Sequence, residues 1–136
     1  MSVRRGLVLV LALGLIGSGT ELLLLDHYED APQMIPLGLI AGALVLLVWH
    51  LFKPSPMNTV VFRGVMVLFL LAGIVGSVLH MQAAAEFQRE MDPAIDRWTL
   101  LTKVVRAKAP PALAPGVMIQ LGLIGLTFTF LKEPRP

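Results

Sequence analysis

The chain has 136 residues, a net charge of +2 and no cysteine. Its hydrophobic fraction of 56% exceeds the 45–50% usual for a soluble domain, and its mean hydropathy is +0.78. The small charge, with no basic stripe, argues against nucleic-acid binding, and the missing thiols exclude disulfides, thiolate metal sites, CxxC redox chemistry and cysteine nucleophiles.

Arg4 and Arg5 precede an apolar run from about residue 6 to residue 25. About 20 helical residues cross a hydrocarbon core of roughly 30 Å, so this run is predicted as the first transmembrane span. A cleaved signal peptide is the competing reading, but Leu22–Leu25 prolong the run past the small residues Gly17-Ser18-Gly19. Asp26–Asp30 form a short acidic connection. Pro32 and Pro36 bracket the entry to a second span, about 34–52, since proline is tolerated in a first helical turn. Trp49, His50 and Lys53 mark its far interface, with His50 expected as an interfacial or capping residue.

A compact turn, 53–58, leads to a third span beginning at residue 59 or 60 and ending near 81, with Arg63 placed to snorkel. Residues 82–115 differ. Ala83-Ala84-Ala85, Glu86 and Glu90 read as a helical extension leaving the bilayer. Asp92-Pro93 fits an N-cap followed by proline, which predicts a new helix there. Ile95, Trp98, Leu101 (or Leu100) and Val105 recur at helical spacing apart from most of the charges, the pattern of an amphipathic helix on a membrane surface or a partner. A proline-rich connector, 109–116, leads to a short fourth span at about 117–131.

Arg4, Arg5, Lys53, Arg63, Lys132 and Arg135 fall on one side, which the positive-inside rule makes cytoplasmic for both termini. Arg89, Arg97, Lys103, Arg106 and Lys108 on the other side oppose that assignment in part.

The sequence also repeats. Arg5-Gly6-Leu7-Val8 aligns with Arg63-Gly64-Val65-Met66, Gly14–Ser18 with Gly73–Ser77, and Ala31–Ile40 with Ala114–Ile124 allowing one insertion. Fixed-order self-similarity points to tandem hairpins, at about 4–52 and 60–131, with an interfacial insert at 82–115. Parallel repeats turn about an axis along the membrane normal. Gly14, Gly17 and Ser18 on the first helix, and Gly73, Gly76 and Ser77 on the third, then predict a close seam between those two helices.

The same alignment pairs Glu21 with His80 and His27 with Glu86. Neutral imidazoles and carboxylates are ligands for a divalent transition metal. A spacing of six turns a helix by about 240° beyond full turns, so neither half can present both groups from one straight helix. Three readings follow: a Glu21–His80 hydrogen-bonded pair, a metal site of Glu21, His27, His80 and Glu86, or a proton- or cation-linked role for Glu21.

The size and the first-helix carboxylate resemble small multidrug resistance transporters, but the long segment 82–115 departs from their short loops. The stretch from Ala114-Pro115-Gly116 to Leu126, with His80 and Glu86-Phe87 upstream, more closely resembles small four-span bacterial membrane proteins of no assigned activity. That resemblance implies a bacterial inner membrane and brings no activity with it.

The expectation is a single-domain, all-α integral membrane protein. It comprises a four-helix transmembrane bundle from two tandem hairpins, plus an extracytoplasmic amphipathic helix. No catalytic constellation stands out. The expected role is a non-enzymatic accessory or binding protein that uses the His/Glu cluster at the extracytoplasmic end of the bundle to bind a partner or a metal, contacting lipid and another membrane protein or a second copy, with a small proton- or cation-coupled transporter using Glu21 as the alternative.

Overall fold

Helix starts follow from local chemistry. The side chains of Ser2, Asp30, Ser55 and Asp96 each accept a hydrogen bond from a backbone N–H of the turn that follows, satisfying donors that have no partner inside the helix. The computed structural model describes residues 2–107 and 114–131. Among these are five helices and no strand: α1 Val3–Leu24, α2 Ala31–Phe52, α3 Pro56–Met91, α4 Arg97–Val105 and α5 Gly116–Phe130. The connector residues 109–113, and the cations Lys108, Lys132 and Arg135, lie outside the described residues.

Helices α1, α2 and α3 are long and apolar enough to cross a membrane. Their outer surfaces agree, with Leu13, Val45 and Val60 each more than 60% exposed. Apolar surface on that scale is unsuited to water and suited to lipid. At 15 residues, α5 is shorter, about 22 Å at 1.5 Å per residue. In contrast, α3 has 36 residues and extends about 54 Å without a break.

The helices pack in a closed ring: α1 on α2, α2 on α3, α3 on α5 and α5 on α1, with α4 against α3. The centre is filled by Leu11, Leu15, Leu47, Phe62, Met66, Phe69, Leu121 and Phe128 among others.

The tightest contact joins α3 to α5, and glycines make it. A methyl group placed on Gly122 would meet the Met66 carbonyl oxygen at 2.8 Å. One placed on Gly73 would stand 3.0 Å from both the Ile119 nitrogen and the Pro115 oxygen. Each backbone therefore lies in the hollow of the other's glycine, the approach that small residues permit between membrane helices. Gly76 faces Pro115 in the same interface, and Gly125 faces Met66 and Phe62.

This corrects the expected seam between the first and third helices. Gly14 of α1 packs on Leu121, so it too faces α5, and Gly17 has no neighbour within 4 Å. In the ring, α1 and α3 stand across from one another and α5 fills the place beside both.

Two further boundaries differ from expectation. Asp92 closes α3, its N–H bonded to the Gln88 oxygen, and Asp96 opens the next helix four residues later than predicted. The Asp92 carboxylate instead accepts from Ala94 N in the intervening turn. Arg63, placed by the sequence to snorkel, reaches the C-terminal end of α5. Its Nε donates to Thr129 Oγ1 at 3.0 Å and its Nη2 to the Thr129 carbonyl at 2.9 Å, while the guanidinium lies 4.0 Å over the Phe130 ring. A cation at a helix C-terminus satisfies carbonyls that have no partner within the helix.

Candidate functional site

Polar groups gather at both ends of the bundle. At the end formed by the α1–α2 connection, α1 stops at Leu24, and Asp26 takes a left-handed backbone with φ of 51°. That turn brings His27, half-buried, against α3, where its ring lies 6.4 Å from that of His80 at a tilt of 53°. His27 is thus a ring neighbour of His80, where the alignment had set Glu21 opposite His80. Glu21 is on the exposed side of the last turn of α1, and Glu86 is exposed two turns beyond His80. Among the described residues, no group of three or more His, Asp or Glu is placed to hold a metal ion. Zinc sites use three or four protein ligands, so the two imidazoles do not complete such a set and no metal chemistry is derived from them.

Beside them, the Tyr28 hydroxyl donates to Asp26 Oδ1 at 2.7 Å. That bond, and the negative charge of Asp26, raise the Tyr28 hydroxyl above its ordinary pKa.

The opposite end holds a cluster that the sequence reading missed. His50 was expected at the interface or on a helix end. It turns inward and is 6% exposed, and Asn58 is fully buried. His50 Nδ1 and Asn58 Oδ1 are 2.8 Å apart, joining the end of α2 to the first turn of α3. The imidazole stacks on Phe62 and meets Phe128 edge-on at 5.4 Å, and the Arg4 guanidinium lies 4.7 Å over the Phe128 ring. Asn58 Nδ2 is buried without a hydrogen-bond partner. One signal was available. An asparagine entering an apolar span must find a polar partner, and a histidine eight residues back across a tight turn is within reach.

A third feature lies outside the bundle. α4 leans on the part of α3 beyond Gly76, burying Val104 against that helix, where Ala84 is also buried. The contact is loose. An open groove of about 850 Å³ separates the two helices, floored by Val78, Met81, Ala85 and Leu100, with Glu86, Arg89 and Arg97 on its walls. The predicted amphipathic row is split. Leu100, Leu101 and Val104 line the groove against α3, whereas Trp98 and Val105, 72% and 47% exposed, do not line it. At the N-terminus of α4, hydrogen bonding from Thr99, by its hydroxyl and its backbone N–H, holds Asp96 below the usual carboxylate range.

Comparison with protein-family models, curated proteins and solved structures finds no match for this chain.

Proposed function

We propose that the chain is a non-enzymatic accessory protein of a bacterial inner membrane that presents its α3–α4 spur to another membrane protein. In this reading α5 is the fourth, short span. Both termini are cytoplasmic, as Arg4, Arg5, Lys53 and Arg63 favour, and the spur and His27–His80 face the opposite compartment. The closed ring of pairings is compatible with two tandem hairpins set about an axis along the bundle.

The carrying observation is the exposed pair Trp98 and Val105, outside the groove, on a helix that already turns Leu100, Leu101 and Val104 toward α3. A filled core containing Phe62, Phe69 and Phe128 suits an anchor better than a conduit. The transporter alternative draws no support from Glu21, which lies outside that core.

A photo-reactive amino acid at position 98, activated in native membranes, tests this. The expected result is a discrete protein adduct that Val105→Glu abolishes, with no equivalent adduct from Val48 on the exposed side of α2. An adduct of twice the chain's own mass would overturn the accessory reading in favour of self-association. Lipid adducts alone would overturn both.

The proximity of His27 and His80 favours testing the metal reading as well. Stoichiometric zinc or copper in the purified protein, lost in His80→Ala, would support that reading. Its absence would leave the two rings as a packing contact.

A further inference from the structure

We infer that the groove between α3 and α4 holds a lipid with an anionic headgroup. The inference requires a membrane around α3 and does not depend on the partner proposed above. Three observations carry it.

The first is continuity. Leu71, Val75 and Val78 lie on one exposed face of α3, and Val78 also begins the groove floor. An acyl chain lying on that face enters the groove without leaving apolar contact, passing onto Met81, Ala85 and Leu100.

The second is charge. Arg89 from α3 and Arg97 from α4 converge on the groove from opposite walls, about 16 Å along α3 from Val78 for Arg89 at 1.5 Å per residue. Neither guanidinium is engaged in a hydrogen bond or ion pair with a described residue. Glu86 shares the groove and reduces its charge, leaving a net single positive. That balance fits one phosphodiester, with two forked donors available to its oxygens.

The third is shape. The Gly73–Gly122 crossing excludes everything between α3 and α5. The α3–α4 contact, made by larger side chains, leaves an open space with an apolar base and a charged rim. An amphiphile matches that order of surfaces from base to rim.

The test is native mass spectrometry of the full-length protein, released from detergent in equal amounts of phosphatidylglycerol and phosphatidylcholine. The expected result is preferential retention of phosphatidylglycerol on the order of tenfold, the scale that two basic residues near an anionic headgroup supply. Arg89→Gln with Arg97→Gln should erase the preference, and Ala85→Trp, filling the floor, should lower retention of both lipids. Lys103→Gln with Arg106→Gln removes the same charge from a separate depression, which Gln88 of α3 also lines, and should leave the preference intact. Equal retention of the two lipids overturns the inference. So does an equal loss from both double variants, which would make the effect one of overall surface charge. Retention unchanged by Ala85→Trp overturns the location.

Discussion

α3 has two companions, and it treats them differently. Along its first half it meets α5 so closely that backbone touches backbone at Gly73 and Gly122. Along its second half it meets α4 through Val104 and Leu100 and leaves an open groove. In a membrane, where the hydrophobic effect does little to hold helices together, association rests on van der Waals packing. The first contact maximises that packing and has no room for a ligand. The second gives it up and leaves an open groove with an apolar floor. Rigidity and reception are thus divided along one helix.

The sharpest way to break this division is to close the first contact to its backbone neighbour. Gly122→Leu should prevent the α3–α5 crossing and abolish cooperative unfolding in a detergent titration. Gly122→Ala should cost about 1–3 kcal/mol, the usual range for overpacking. Gly17→Ala adds the same methyl where nothing lies within 4 Å, and should be neutral or slightly stabilising, as expected for glycine replaced by alanine in a helix.

A smaller effect is expected at the buried polar pair. Asn58→Ala leaves His50 without its 2.8 Å partner, and should cost about 1–3 kcal/mol in the same titration. Adding His50→Phe should restore part of that loss, because the stacking on Phe62 survives and no polar side-chain atom of the pair remains buried.

The smallest effect belongs to α4 and should spare the bundle. Asp96 has its carboxyl lowered in the folded state from an ordinary value of 3.8. Its capping contribution is therefore complete above that value and is lost as pH falls through the lower, folded one. Acidification through that window should raise amide exchange at Trp98 and Thr99 while α1, α2 and α5 stay protected. Asp96→Ala should do the same at neutral pH. Exchange that rises equally in α5 would show that α4 and the bundle are one cooperative unit.

Much of this architecture was legible in the residues. The long apolar runs gave α1, α2 and the first part of α3, because length and hydropathy alone decide whether a helix can cross a membrane. The glycines announced close packing but not the partner, since a small residue shows only that something approaches. Gly73 and Gly14 both turned out to face α5. The start of α4 was misplaced because Asp92 and Asp96 are both competent caps, and the choice depended on how far α3 continued. The Ala-rich stretch carried α3 to Met91, which consumed Asp92 as its end. At the candidate site, His27 and His80 were named from the repeat, but their pairing depended on a left-handed turn at Asp26. The His50–Asn58 pair escaped because a histidine beside tryptophan and lysine at a span's end also suits an interfacial position.

Between Gly76 and Met91, α3 contains neither glycine nor proline. Sharp bends in helices arise at such residues or at inserted turns, and α3 runs through this stretch as one helix. The spur is therefore a lever arm. Its α3 part and the apolar first part of α3 are one continuous helix, pinned at the glycine crossing with α5. A torque on the far half of α3 would be carried past that crossing toward the His50–Asn58 pair, whereas one on α4 would first have to cross the open groove.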